Sequence, residues 1–314
     1  IVVSTGDSQT AIKKAKNTLN GSLSIGGQEH YYLEGQVAIS IPTEDNEMVV
    51  HSSTQNPTEV QHLVAHVLDV PQNAIEVVTR RMGGGFGGKE TDSSQLACIC
   101  AIFSKRTLRP VKARLSRKDD ILLTGKRHDF VAKYEVGYND EGIIQGIEID
   151  LAARCGYSLD LSKAIVSRAL FHADNTYFIP NATFKGFLCK TNTASNTAFR
   201  GFGGPQGMLT IENIIEEIAN NMGTDPLNIR KINYYQKGSN NVTPYDQVIE
   251  DNIIEEITNE LIEDSNYLSR RKEIDLFNKK NQFLKKGLSF SPVKFGISFT
   301  LSLIHISEPT RQEA

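Results

Sequence analysis

The sequence predicts a mixed α+β fold. Three observations point there: short runs alternate apolar and polar residues, other runs space apolar residues three and four apart, and the tetrapeptide Gly-Phe-Gly-Gly occurs twice. The repeats, at 85–88 and 201–204, each lie between a strand-like run and a helix-like run. Glycine lets backbone N–H groups come close to an anion, and a following helix N-terminus adds partial positive charge. One such cluster is more often only a tight turn; a near-identical pair suits one phosphate-bearing ligand gripped from two sides.

Residues 9–20 read as a short polar helix or linker, and 22–41 as a strand, a turn at Gly26 and Gly27, and a second strand. Residues 57–68 have helical spacing through Val60, Leu63, Val64 and Val67, with Pro57 suited to a first helical turn. A strand at 74–79, the first glycine turn and an apolar helix at 93–104 follow. Strands come next at 111–115 and 130–138, the latter closing in a turn at 139–142 before a strand through Ile149. A strand at 184–190 leads through polar residues into the second glycine turn, where Pro205 fits the start of a helix. That helix has an apolar face of Met208, Ile211, Ile215 and Ile218. Residues 251–280 are highly charged, with Ile253, Ile254, Ile257 and Leu261 at helical spacing, and read as solvated helices.

The length of 314 residues suits about two domains. A hydrophobic content of 39% with 23% charged residues is ordinary for a globular chain, and a net charge of −3 gives no general attraction to nucleic acid. No stretch approaches the roughly twenty apolar residues of a membrane span, and the N-terminal residues lack a basic flank and apolar run. The expectation is a soluble, unexported, cytoplasmic protein without nucleic-acid or membrane partners. Cys98, Cys100, Cys155 and Cys189 lack Cys-x-x-Cys spacing and read as buried free thiols. His62 and His66 are four apart on a helix but lack the intervening Glu of a metalloprotease. The first residue is not Met, so the chain is expected to start inside a longer protein or after processing.

Residues 83–88 satisfy the Gly-x-Gly-x-x-Gly dinucleotide pattern in a strand-then-helix context. The acidic residue required about twenty positions on is missing, since that region is Lys105 to Arg109. Residues 83–89 also mimic a phosphate loop, yet Glu90 stands where magnesium binding needs Ser or Thr. What remains is one loop presenting Glu90 at a helix start and another presenting Arg200 before its glycines. Taken singly, Glu90 reads as a helix cap, Arg200 as half of an ion pair and Gln55 as a turn or cap residue.

Longer runs go further. Residues 26–34, 53–56, 81–90, 168–172, 196–207 and 294–300 together resemble, in family order, the molybdenum-binding part of the xanthine dehydrogenase and aldehyde oxidase family. The resemblance implies a molybdenum–pyranopterin (molybdopterin) cofactor in a truncated form of that family's cofactor-binding fold. It implies that Gln55 hydrogen-bonds an oxygen ligand of the metal, with no protein side chain on the metal itself. The loops of Phe86 and Arg200, with Gly85, Gly87 and Gly201, would contact the cofactor largely through backbone groups, while Gln28 would be structural. Glu90 and Arg168 match the two polar groups that address a purine, Phe202 and Phe299 its aromatic walls, and Thr300 a further hydrogen bond. Aldehyde-oxidising relatives generally carry different residues at the positions of Glu90 and Arg168. The pair therefore favours oxidation of hypoxanthine and xanthine to urate in purine catabolism, with water as oxygen source. An aldehyde oxidase-type hydroxylase is the alternative.

The resemblance ends after Leu301. Residues 302–314 look like translated adaptor read-through and are expected to be a non-native tail. The family's glutamate base lies beyond the 294–300 motif, so the chain alone is expected to be inactive, its parent being a xanthine dehydrogenase-type molybdenum oxidoreductase. Iron–sulfur clusters and FAD are expected on another domain or subunit, since no cysteine pattern here suits a cluster. Residues 241–252 look closer to the bacterial form with a separate molybdenum subunit, in a hetero- or homo-oligomeric parent. The expected divisions are 1–20 as linker or end of a preceding domain, 21–240 as a first cofactor-binding subdomain, 241–301 as the start of a second, and 302–314 as the tail. A third reading is a truncated protein that binds partners without cofactor.

Overall fold

The computed structural model describes residues 1–296. Phe299, Thr300 and the tail at 302–314 lie outside the described residues. The architecture is mixed α and β, with two sheets each carrying helices. The larger sheet has the order β1 (Val2–Thr5), β9 (Ala182–Lys190), β8 (Ile144–Gly156), β7 (Phe130–Tyr138), β2 (Asn17–Ile25). Its pairs are antiparallel except β8 with β9. The β7–β8 hairpin closes where Asn139 Oδ1 accepts the N–H groups of Glu141 and Ile143, and Gly142 supplies the positive φ of 90°. Inward residues of β8, among them Ile147, Ile149 and Leu151, pack beneath α5 (Ser162–Phe171) and α6 (Gly204–Met222). Burying each such side chain stabilises the fold by roughly 2 kcal/mol. The two helices approach very closely: a Cβ on Gly203 would lie 2.0 Å from Ile165 O, and one on Gly207 2.1 Å from Ala169 O. Those two glycines serve helix packing.

The smaller sheet runs β5 (Ile75–Val78), β4 (Met48–Ser52), β3 (Val37–Pro42), β6 (Val111–Arg114). Val60, Val64 and Leu68 of α2 (Pro57–Leu68) and Ala97, Cys100 and Ala101 of α3 (Asp92–Thr107) form its core. Asn56 caps α2 by accepting the Glu59 N–H, with Pro57 in the first turn, and the helix ends at Asp69 with φ 54°. The first glycine loop joins β5 to α3 on the smaller sheet, and the second joins β9 to α6 on the larger.

Several expectations need correction. The short polar helix expected within 9–20 is α1 (Ser8–Lys14), but residues 1–20 are not a separate linker, since they also supply β1 and the start of β2, with Val2 to Thr5 paired to Lys185 to Ala182. The strands on either side of Gly26 and Gly27 do not form a hairpin: β2 belongs to the larger sheet and β3 to the smaller, so residues 26–36 cross between layers. Short elements without strong periodicity escaped the sequence reading, namely β1, β4, α4 (Arg117–Leu123), α5 and α7 (Pro226–Asn233). In α8 (Ile254–Asp264) the outward residues are Ile253, Ile257 and Leu261, while Ile254, Thr258 and Ile262 face inward. Thr258 is fully buried, with its hydroxyl 3.4 Å from Tyr234 Oη, and Ile254 and Ile262 pack against neighbouring apolar clusters. Tyr267 of α9 (Tyr267–Lys280) joins Leu227 and Phe290 in a third small core. Cys100 and Cys155 are buried free thiols, Cys98 is half-buried, and Cys189 is exposed because it sits near the end of β9. No helix among the described residues is long and apolar enough to cross a membrane.

Candidate functional site

The two Gly-Phe-Gly-Gly loops share one backbone conformation. Phe86 and Gly87 have φ of 55° and 101°, and Phe202 and Gly203 have 52° and 94°. A left-handed Phe is uncommon and costs about 1 kcal/mol or more, so two of them mark loops held by their surroundings. The loops also touch each other. The Arg200 N–H donates to Phe86 O at 3.0 Å, and a Cβ on Gly87 would come within 2.7 Å of Ala198 O. Between them opens a cleft of about 300 Å³.

Of the residues singled out by sequence, Phe86, Gly87, Glu90, Arg168, Arg200, Gly201 and Phe202 line that cleft. Ala198, Phe199, Phe295 and Gly296 complete the wall and were not singled out by the sequence. Neither Gln55 nor Gly85 is part of that lining; the two pack so closely that a Cβ on Gly85 would meet Gln55 Oε1 at 2.5 Å. The expected cradle of free glycine N–H groups is only partly available. The Gly87 N–H is donated to Gln55 Oε1, those of Gly88 and Gly204 close turns within their own loops on Gly85 O and Gly201 O, and of the neighbouring N–H groups that of Phe202 bonds Phe199 O and that of Arg200 crosses to Phe86 O. Glu90 precedes Thr91, the N-cap of α3, which makes no side-chain capping bond, and so Glu90 is not a helix cap.

The cleft has a carboxyl on one wall and a guanidinium on another. Burial pushes the Glu90 carboxyl above its usual range, and the Asp160 carboxylate adds to the shift. Arg168, on α5, is buried; burial lowers its pKa, its Nη2 donates to Gly296 O at 3.0 Å, and its guanidinium lies 4.6 Å from the Phe295 ring centre. Next to Glu90, Asp92 is pushed to about 7, first by burial and then by Asp160, against the Gly125 N–H that donates to it at 2.9 Å. Because the folded value lies above the ordinary 3.8, the folded protein holds more protons than the unfolded one between about 4 and 7. Stability therefore falls as pH rises through that window. Asp92→Asn is expected to flatten that slope and to leave the protein more stable than wild type above pH 7. Melting temperatures measured from pH 4 to 8 check this, and an unchanged slope would count against it.

Arg127 and His30 brace the second loop, with Gln28 behind Arg127. Arg127 donates from Nε to Gln28 Oε1 (2.6 Å) and from Nη1 and Nη2 to the carbonyls of Phe199 (3.3 Å) and Arg200 (2.6 Å), with its guanidinium 4.2 Å from the Phe199 ring centre. Gln28 is thus structural. His30 Nε2–H donates to Ala198 O at 2.6 Å, and burial lowers the pKa of its ring, favouring the neutral form. No motif spacing announces these contacts. The nearest signal was the presence of Gln28 and His30 in the 26–34 run.

Lys89 does not behave as a phosphate-loop lysine. Its side chain is fully buried and its ammonium faces inward, to Glu34 and Ser53. Gln55 suits an oxygen-bearing ligand better. Its Oε1 accepts the N–H groups of Gly87 (2.8 Å) and Lys89 (3.3 Å), which fixes the amide and leaves its NH₂ as the group to donate outward. Among the described residues no group of three or more His, Cys, Asp or Glu side chains could hold a metal. The donors on offer are amide and backbone groups, which fit a cofactor whose metal carries its own ligands.

Comparison with known proteins agrees with this donor set. A family model described as a molybdopterin cofactor-binding domain matches residues 1–234. The chain is 43% identical over 300 residues to a xanthine dehydrogenase of Dictyostelium discoideum, covering 96% of this chain and 22% of that protein. It is 45% identical over 293 residues to the nicotinate hydroxylase hnxS of Emericella nidulans, covering 93% of this chain and 22% of that one. Among solved structures, the aldehyde oxidoreductase from Desulfovibrio gigas matches with a TM-score of 0.81 and 25% identity, over 90% of this chain and 30% of its own. The chain thus spans 22% of the length of these curated relatives.

Proposed function

This chain belongs to the molybdopterin cofactor-binding domain family of the xanthine dehydrogenases, and from that membership we propose that it forms part of the molybdenum site of a hydroxylase acting on hypoxanthine and xanthine. The observation that carries the substrate is the placing of Glu90 and Arg168 in one cleft with Phe202. A flat heteroaromatic ring stacks on Phe202, and the carboxyl and guanidinium fix which edge faces inward. Glu90, whose pKa burial raises, hydrogen-bonds a ring nitrogen or oxygen. Arg168 stabilises negative charge that builds on the ring; such a contact contributes a few kcal/mol, roughly 3, in the transition state.

The Gln55 amide NH₂ and the loops carrying Gly85, Phe86, Gly87, Arg200 and Gly201 would hold the cofactor. When bound, that cofactor supplies the redox chemistry that hydroxylates a ring carbon with oxygen from water. Phe299 and Thr300 extend the proposal as a second aromatic wall and a further hydrogen bond. The iron–sulfur and FAD centres, the general base and an oligomeric, cytoplasmic parent likewise belong to it. So do the divisions at 21–240 and 241–301.

A second reading has a specific observation behind it: the nicotinate hydroxylase is as similar as the xanthine dehydrogenase, and nicotinate is also a flat nitrogen heterocycle. The aldehyde reading rests on the Desulfovibrio gigas likeness. The test is to purify the full-length protein, measure bound molybdenum and pterin, and compare kcat/KM on xanthine, hypoxanthine, nicotinate and an aromatic aldehyde. Molybdenum and pterin in equal amounts with a preference for the purines is expected. Preference for nicotinate or the aldehyde would transfer the assignment to that substrate, and a protein without molybdenum would end it.

A further inference from the structure

We propose that Lys89 is a positioning residue of this site: its buried ammonium anchors the first glycine loop and thereby sets the orientation of the Gln55 amide and of the adjoining Glu90. The inference rests on the functional reading above, since it concerns how two groups of that site are held.

A fully buried ammonium loses several kcal/mol of hydration, roughly 5, so its presence calls for a full set of partners. Lys89 has one. Nζ donates to Glu34 O at 2.7 Å, to Ser53 Oγ at 2.9 Å and to Glu34 Oε2 at 3.3 Å, and lies 4.6 Å from the centre of the Tyr32 ring. Three acceptors saturate the three N–H bonds of an ammonium, so none is left for a ligand in the cleft. Burial lowers the lysine pKa, and the Glu34 carboxylate offsets part of the shift.

The anchor holds both ends of the loop. Glu34 Oε2 also accepts the Gly83 N–H at 2.8 Å and the Ser53 hydroxyl at 2.6 Å, while the Glu34 N–H donates to Gly83 O at 3.1 Å. Gly83 and Lys89 are thus tied to one carboxylate, and the left-handed Phe86 and Gly87 are strung between them. The Lys89 main chain in turn grips Gln55. Its carbonyl accepts the Gln55 N–H at 2.8 Å and the Thr54 hydroxyl at 3.1 Å, and its N–H donates to Gln55 Oε1 at 3.3 Å. Rotation of this loop would release the Gln55 amide and swing Glu90, the next residue, out of the cleft wall.

The test uses the full-length protein with Lys89→Met, Gln55→Ala, the double variant and Ser53→Ala. Molybdenum content, melting temperature and kcat and KM per bound molybdenum are measured on the substrate the wild type prefers. Lys89→Met is expected to lower molybdenum content and to cut kcat per molybdenum by about tenfold. The double variant is expected to be little worse than Gln55→Ala alone, because both changes act through one amide. Wild-type kinetics per molybdenum in Lys89→Met, or losses that multiply in the double variant, overturn the inference. Should Lys89→Met fail to fold, Ser53→Ala decides: it removes one acceptor and is expected to give a smaller loss in the same direction, again less than multiplicative with Gln55→Ala, and unchanged kinetics there overturn the inference. Absence of molybdenum from the wild type would sink the functional reading and this inference together, whereas molybdenum with normal turnover in Lys89→Met sinks the inference alone.

Discussion

Arg168→Met in the full-length protein is expected to lower kcat on xanthine by about 10²-fold or more, with a smaller change in KM. Met fills much of the same volume, so the substitution removes charge and hydrogen-bond donors more than packing. The folded state should tolerate it. Burial already lowers the pKa of this guanidinium, so removing the cation relieves a desolvation cost, which offsets the loss of contacts that include the bond to Gly296 O and the Phe295 ring, each worth about 1 kcal/mol. A fall in kcat with an unchanged melting temperature would therefore report transition-state charge stabilisation. Normal turnover on xanthine would refute the assignment of Arg168, and a change confined to KM would make it a group that binds substrate and transition state alike.

Strong local periodicity made some elements legible in the sequence. Residues 57–68 and 130–138 were read with the bounds that α2 and β7 have, since a proline-started helix and a half-buried strand carry their own signals. The inner face of α6 was nearly right; Ile211, Ile214, Ile215 and Ile218 are fully buried, with Met208 only half-buried at its start. Where tertiary contacts decide, the reading failed. Residues 26–36 cross between sheets that no local pattern distinguishes, whereas the charged stretch 251–280 forms largely exposed helices, α8 and α9, as its composition predicts. The same division runs through the site. Family runs named Glu90, Arg168 and Phe202, which the fold gathers around one cleft, whereas composition and spacing alone gave only a pair of glycine loops. Arg127 and Lys89 were invisible as braces because their roles exist only through carbonyls and carboxylates brought from distant segments.

Gly87→Ala separates the two jobs a glycine can have here. At φ 101° an alanine is strained wherever it sits, and its Cβ would also lie 2.7 Å from Ala198 O and 2.8 Å from Ala198 C. Both contacts are to backbone, so they yield only if the two glycine loops move apart. The Arg200 N–H to Phe86 O bond would then stretch, and with it the cleft between them. The expected loss is ~3 kcal/mol of stability together with a lowered molybdenum content. Gly223→Ala supplies the comparison: its φ is 64° and nothing lies within 4 Å of the added Cβ, so only the left-handed strain of ~1 kcal/mol applies. Melting temperatures and metal analysis of the two full-length variants measure the difference. Equal losses would show that the contact between the loops contributes nothing beyond backbone strain. A larger loss in Gly87→Ala, accompanied by loss of molybdenum, would tie the packing of the two Gly-Phe-Gly-Gly turns directly to the ligand they are built to hold.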